Sequence, residues 1–275
     1  MGPSLIVKEL DKTFVGVHAV DHVSFECQPG TVHVLQGENG AGKSTVLKML
    51  SGMYQPDSGE IILGGTSVKF RHPSDARRKG IAMVYQEMSV LPELTVAQNI
   101  WLHEEGRVSG GLFLKEARLL KATEELAERY GIEVDPYART GDLPIAGQQM
   151  VEILKALAVD PEILILDEPT SALTVREVEK LRRIVETITY AGKTVLFISH
   201  RMEEVFSFGD RATVMKDGRL VGTVDLKEVT ENDIIRMMVG RELEDIFPPG
   251  LQGEPGETVF RVENLGDGHS FHNIS

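Results

Sequence analysis

The 275-residue chain contains a single cysteine, Cys27, so no intrachain disulfide can form. That fits a reducing compartment such as the cytoplasm, with Cys27 read as a small apolar filler on a strand. No stretch approaches the roughly 18 consecutive apolar residues of a membrane span, and no signal-like apolar run opens the sequence. The reading is a soluble chain that would serve a membrane process only by docking. Positive charge is also scarce: Lys and Arg total 29 against 42 Asp and Glu, a formal net charge of -13. An acidic balance argues against a nucleic-acid-binding surface. Paired cysteines at zinc-site spacing and long basic arms are missing as well. The length suffices for one large domain or two modest ones.

What is present begins with Gly37-Glu-Asn-Gly-Ala-Gly-Lys-Ser-Thr45, which meets every fixed position of the pattern G-x-x-x-x-G-K-[ST]. Glycines let the backbone curl so that successive N–H groups point at a triphosphate. Gly37, Asn39, Gly40, Ala41, Gly42, Lys43, Ser44 and Thr45 are the candidate nucleotide contacts. Lys43 would reach the β- and γ-phosphates, and Ser44 would hold Mg²⁺. The context agrees, because Thr31–Gln36 is strand-like and Lys43–Gly52 helix-like, with a helix N-terminus facing the anion.

Around this loop the chain alternates. Leu5–Leu10, Val20–Cys27 and Thr31–Gln36 read as strands, with a turn at Gln28-Pro29-Gly30. Glu60–Leu63 and Ser67–Phe70 flank Gly64-Gly65 as a hairpin. From about 87 to 158 the pattern is helical. Met150, Ile153, Leu154, Leu157 and Ala158 form one apolar face, and a second amphipathic helix ends at Gly131. Ile163–Leu166 and Thr194–Ser199 are continuous apolar runs, which suit strands buried on both faces of a parallel sheet. Val175–Tyr190 is an amphipathic helix between them, and Arg211–Met215 with Arg219–Val224 is a further hairpin. Residues 247–257 read as a Pro/Gly-rich linker. After it, Thr258–Leu265 and Phe271–Ser275 echo Leu5–Leu10 and Val20–Ser24, as if a second copy of the domain began there.

Three further places carry chemistry. The run Ile163–Leu166 ends in Asp167 and Glu168, at the sheet edge where ligands bind in open α/β folds. Asp167 is the expected Mg²⁺ partner through water, and Glu168 the carboxylate that polarises an attacking water. The run Thr194–Ser199 ends at His200 on the same edge, placed for a γ-phosphate contact. Gln86 follows the short apolar strand Ile81–Tyr85 and could complete the Mg²⁺ shell or sense the attacking water. Phe14 offers a face that could stack on adenine, or a core side chain.

In this order the elements resemble the nucleotide-binding domain of an ABC ATPase over residues 4 to about 245. The resemblance rests on the P-loop Gly37–Thr45, the Q-loop at Gln86, the Walker B segment Ile163–Glu168, the D-loop Ser171-Ala-Leu173 and the switch histidine His200. It implies an α/β P-loop NTPase core with a mostly parallel sheet, an antiparallel β subdomain and an inserted helical subdomain at about 87–158. It implies ATP and Mg²⁺ as ligands, with ATP hydrolysed between two such domains. Within the superfamily, Gly147–Ile153, Pro169–Thr174 and Ile198–Val205 resemble the tandem monosaccharide importers of the ribose, xylose and galactose type. That implies an ATPase domain over 1–246 and, at 258–275, the start of a second domain in the same full-length chain. It also implies transmembrane permease subunits as partners, a separate sugar-binding protein indirectly, no nucleic acid, and a peripheral place on the cytoplasmic face of the membrane. Glu87–Trp101 would dock on the permease, with Val90, Leu91, Leu94 and Trp101 either exposed apolar anchors there or core side chains. The alternative is a soluble ABC ATPase that clamps nucleic acid or ribosomes, which the acidic balance disfavours.

One segment departs from the family. The signature Leu-Ser-Gly-Gly-Gln is represented by Leu143, Pro144, Ile145, Ala146 and Gly147, followed by Gln148 and Gln149. Pro144 has neither hydroxyl nor backbone N–H, and Ala146 adds bulk where the backbone would approach phosphate. In the family, the signature of one domain completes the site of the other. The expectation is one competent site built on this chain's P-loop, Glu168 and His200, and one weakened site on the partner.

Overall fold

A computed structural model describes residues 2, 4–109, 116–240 and 260–274. Contacts divide the chain into two units, Met1–Gly240 and Arg241–Ser275. The first unit opens with strands β1 (Leu5–Phe14), β2 (Val17–Cys27) and β3 (Val32–Gln36), helix α1 (Lys43–Leu50), and strands β4 (Ser58–Leu63) and β5 (Thr66–Val68). Helix α2 (Pro73–Arg78) leads to β6 (Ile81–Val84), then to helices α3 (Val96–Ile100), α4 (Glu105–Ser109), α5 (Glu116–Arg129) and α6 (Ile145–Leu157). The remainder runs β7 (Ile163–Asp167), α7 (Val175–Tyr190), β8 (Thr194–Ile198), α8 (Met202–Phe208), β9 (Arg211–Lys216), β10 (Arg219–Asp225) and α9 (Glu231–Val239).

Two sheets result, in the orders β2-β1-β4-β5 and β10-β9-β3-β8-β7-β6. The first is antiparallel. In the second, only the edge strand β10 runs against its neighbour. The continuous apolar runs are explained by alternation across the larger sheet. Leu164, Leu166, Val195 and Phe197 join the core shared with α5, α6 and α7. Ile163, Ile165, Leu196 and Ile198 join the core beneath α1 and the antiparallel sheet. Both faces of β7 and β8 are covered, which favours apolar side chains on each. Helix α7 begins in a capping box, where the Glu177 carboxylate accepts from the Thr174 N–H at 2.7 Å and its hydroxyl at 2.8 Å. Its buried residues Leu181, Ile184, Val185 and Ile188 follow the helical repeat.

Two expectations change. The first strand continues past Leu10 to Phe14, because Lys12–Phe14 pair with Val17–Val20. The region 87–158 is several helices joined by extended chain. Asn99, fully buried, ties that chain down. Its amide donates to the Leu91 carbonyl (2.9 Å) and the Thr140 hydroxyl (2.8 Å), and its oxygen accepts from the Leu91 N–H (2.8 Å). Of the two places open to Trp101, the structure takes the core: it is buried, and its indole N–H donates to Thr123 Oγ1 at 3.0 Å. Val90 and Leu94 are half-buried, while Leu91 is exposed.

In the second unit, an antiparallel bridge pairs Leu265 with Ile274. The Asp267 carboxylate accepts backbone N–H bonds from His269, Ser270 and Phe271, which hold its pKa far below the ordinary value. Residues 260–264 form no strand, and the expected linker 247–257 lies outside the described residues.

Candidate functional site

Strand β3 is buried along its length and stops at Gln36, whose amide faces both ways. Its Nε2 donates to the Ser199 carbonyl (2.8 Å) and its Oε1 accepts from the Gly37 N–H (3.3 Å), joining the ends of β3 and β8. The loop then turns through positive φ at Gly37 (151°) and Gly42 (94°). A Cβ at Gly37 would lie 2.3 Å from the Met215 carbonyl oxygen, and one at Gly42 2.3 Å from that of Ala19. Only glycine fits either position. The loop delivers the first turn of α1 to an open cleft of about 930 Å³, lined by Asn39, Gly40, Ala41, Gly42, Lys43, Ser44, Thr45, Gln86, Glu168 and His200 among others.

Lys43 is half-buried. Its ammonium donates to the carbonyls of Gly37 (2.7 Å) and Glu38 (2.9 Å) of its own loop. Burial lowers its pKa, opposed by the charges of Glu168 and Asp167. Asp167 ends β7 below the cleft, buried, and its pKa is pushed up to about 6. Burial is the main cause and the neighbouring Glu168 the second, partly offset by Lys48 and Lys43. The next residue leaves the strand by a left-handed turn. Glu168 has φ 48°, its N–H donates to the Ile198 carbonyl at 3.0 Å, and Pro169 follows. For a residue with a Cβ this conformation costs of order 1–3 kcal/mol. It swings the carboxylate into the cleft. There Oε2 accepts from Gln86 Nε2 at 3.2 Å and lies 3.3 Å from His200 Nδ1.

Residues 39–45 of the P-loop, Gln86, Glu168 and His200 therefore meet in one cleft, while Gly37 and Asp167 are not among the residues lining it. Phe14 is not among the residues lining it. The extension of β1 carries Phe14 to the hairpin end, where its ring meets Tyr54 edge-on at 5.2 Å and Lys12 lies over it. The residues of that hairpin that line the cleft are Val17, His18 and Ala19, with Asp217 beside them. These were not singled out by sequence, because nothing local distinguishes them from other strand-edge residues.

The segment Leu143–Gln149 lies apart, at the start of α6. Pro144 occupies the N-cap position with φ -54° and ψ 154° and makes no side-chain capping bond. Ile145 is exposed, and Gln148 turns back so that its Nε2 donates to the Leu143 carbonyl at 3.0 Å. Gln149 is buried at 5% exposure, which withdraws its side chain from any surface contact. Sequence reasoning also passed over a buried polar group behind the cleft: Gln36, Thr170, Ser199 and Glu204. The available signal was a glutamine closing an otherwise apolar strand and a glutamate inside a short apolar helix.

A P-loop at the carboxyl edge of a parallel sheet, facing a Glu–His pair, defines a nucleotide-type site of the P-loop NTPase class. Residues 20–171 match the family model described as ABC transporter, and the chain belongs to that family. It is 50% identical over 266 residues to the Ribose import ATP-binding protein RbsA 1 of Rubrobacter xylanophilus, covering 97% of this chain and 52% of the relative. It is 47% identical over 264 residues to a putative ribose/galactose/methyl galactoside import ATP-binding protein 2 of Agrobacterium fabrum, covering 96% and 51%. The chain thus spans about half the length of the curated relatives it matches. Among solved structures, it resembles the dimeric post-hydrolysis state of the ATP-binding cassette MJ0796 bound to ADP and Pi. The TM-score is 0.71 and the identity 26%, over 81% of this chain and 98% of that one. The architecture is that of an ABC ATPase cassette.

Proposed function

We propose that this chain is an ATP-binding and ATP-hydrolysing cassette that energises import of a monosaccharide through an ABC transporter. The observation that carries the catalytic part is the meeting of Lys43, Gln86, Glu168 and His200 in one cleft. Backbone N–H groups of residues 39–45 and the α1 N-terminus suit a polyphosphate. Glu168 is the group that polarises the attacking water, and His200 contacts the γ-phosphate. Gln86, touching the same carboxylate, reports on that water. Ser44, Gln86 and Asp167 offer oxygen donors only, the set that suits Mg²⁺. The buried Asp167 carboxylate would gain from a cation beside it. Bound with ATP, Mg²⁺ would neutralise charge on the β- and γ-phosphates.

The dimeric state of the structural relative supports a second cassette as partner, with ATP between the two. The lengths of the import relatives leave room for that cassette in the same polypeptide. Permease subunits in the membrane and a separate sugar-binding protein complete the reading, with the cassette on the cytoplasmic face. Among the described residues no helix is long and apolar enough to cross a membrane. The names of the relatives supply the sugar class.

The test is steady-state Mg-ATP hydrolysis over a range of protein concentrations, beside uptake of labelled ribose, xylose and galactose in cells lacking the chain. Specific activity that rises with concentration, with loss of one uptake, is expected. Neither binding nor hydrolysis of ATP at any concentration would overturn the ATPase reading. Normal uptake of all three sugars would overturn the sugar reading.

A further inference from the structure

Behind the cleft, four polar side chains are buried in an otherwise apolar region. Gln36, Ser199, Thr170 and Glu204 are 1%, 2%, 4% and 4% exposed. The Glu204 carboxylate is the hub. One oxygen accepts from Ser199 Oγ at 2.5 Å and from Thr170 Oγ1 at 2.7 Å, and the other from Arg201 Nη1 at 2.8 Å. Ser199 Oγ in turn accepts from the Arg201 N–H at 3.1 Å, and the Ser199 carbonyl accepts from Gln36.

These bonds run between segments that the sheet alone does not fasten. β7 and β8 are paired only as far as Asp167 and Ile198. Beyond that point Thr170 belongs to the chain after Glu168, while Ser199 and Arg201 bracket His200. Glu204 sits on α8 and grips both. His200 itself is largely exposed, and among the described residues its ring meets the side chain of Glu168. Its place over Glu168 therefore depends on what holds Ser199 and Arg201.

We propose that Glu204 is a positioning residue: its buried carboxylate fastens the chain after Asp167-Glu168 to the chain around His200 and so keeps His200 on Glu168. The proposal extends the hydrolysis reading above and rests on it for its kinetic consequence. A purely stabilising role fits poorly. A buried charged group paired with an arginine is on average no better for stability than a well-packed apolar side chain, although removing one partner is costly. What a fully satisfied buried network gives is a single geometry.

The test compares the parent chain with Glu204→Gln, which keeps the shape and removes the charge that holds Arg201. Three readouts are taken: kcat and KM for Mg-ATP, melting temperature, and the NMR resonance of the His200 ring in chains labelled at histidine. We expect kcat to fall by about tenfold to a hundredfold, the scale of a small misplacement of a reacting group. KM should stay within about twofold. The loss should vanish in a His200→Ala background, since coupled residues are not additive. In the parent, Glu168→Gln should move the His200 resonance, because the two side chains are 3.3 Å apart. In the Glu204→Gln background that response should be lost. A lowered melting temperature with kcat and the His200 response unchanged would overturn the proposal. If the parent hydrolyses no ATP, the function reading fails, and the NMR response alone decides whether Glu204 positions His200. Should Glu204→Gln not fold, Thr170→Val removes one donor to the same oxygen at little change in shape and must give the same pattern.

Discussion

The Glu168 carboxylate lies 3.3 Å from His200 Nδ1, although 32 positions separate the two residues (200 minus 168). Adjacent parallel strands make this contact. β7 and β8 pair Asp167 with Ile198, so the residues that leave the two strands emerge side by side. Gln86 arrives from β6, the next strand of the sheet, and donates to the same Glu168 oxygen. Three consecutive strands thus each contribute one polar group to one point of the cleft.

Glu168→Gln should abolish turnover and leave Mg-ATP binding intact. The amide keeps the size and can still meet Gln86, but it cannot take a proton. A loss of about 10²–10⁴-fold is expected from removal of a general base. Single-turnover hydrolysis beside equilibrium nucleotide binding separates the two effects. An unchanged hydrolysis rate would remove the assignment.

Lys43→Ala should weaken ATP binding by about tenfold or more, the worth of a charge-assisted hydrogen bond of about 1.5–3 kcal/mol. It should not lower the melting temperature. The ammonium is half-buried and its pKa is lowered chiefly by that burial, so the folded protein gains little by keeping it there without phosphate. Calorimetric titration with ATP and a thermal melt check both parts, and equal affinity would sink the P-loop assignment.

Acid should destabilise the cassette through His33. The ring is fully buried on β3, shares a 2.7 Å hydrogen bond with Thr213 Oγ1, and finds no partner for Nδ1 among the described residues. Burial, with the Arg211 charge second, pushes its pKa down to about 3 from an ordinary 6.5. The sign follows directly. Above pH 6.5 the ring is neutral folded or unfolded, and His33 contributes no pH dependence. Between 6.5 and about 3 only the unfolded chain takes up the proton, so stability is lost as pH falls through that window. His33→Gln should therefore flatten the fall in melting temperature between neutral and mildly acid pH. An equal fall in both chains would refute the attribution.

Much of this was legible in the sequence, for identifiable reasons. Strands buried on both faces leave continuous apolar runs, and the runs Ile163–Leu166 and Thr194–Ser199 mark β7 and β8 to within a residue at each end. The amphipathic pattern of Val175–Tyr190 marked that helix to its ends. The exposed strand pairing that carries β1 to Phe14 has no such signal, since its residues alternate weakly, and with it went the place of the Phe14 ring. The sequence leaves Trp101 open between surface and core, because an aromatic near a helix end looks the same whether its N–H meets water or Thr123. The Glu204 network is wholly non-local in its Thr170 bond, and single-residue patterns cannot report such a bond.

Pro144→Ser should strengthen ATP-driven association of two chains without a comparable change in fold stability. Pro144 holds the N-cap of α6 in an extended conformation that serine adopts freely, so the serine hydroxyl can accept from the first turn. That cap stabilises by about 1 kcal/mol. Loss of the proline's restriction on the unfolded chain costs about 0.4–1 kcal/mol. The two nearly cancel, and the melting temperature should scarcely move. A gain in association would then point to a contact across the proposed cassette interface, through the hydroxyl and a backbone N–H that Pro144 lacks. One charge-assisted hydrogen bond gives about tenfold or more in the association constant. Sedimentation of the variant with Mg-ATP, in a Glu168→Gln background so that the bridge persists, reads this directly. If association is no tighter, the expectation that Pro144 weakens a site on a partner cassette falls.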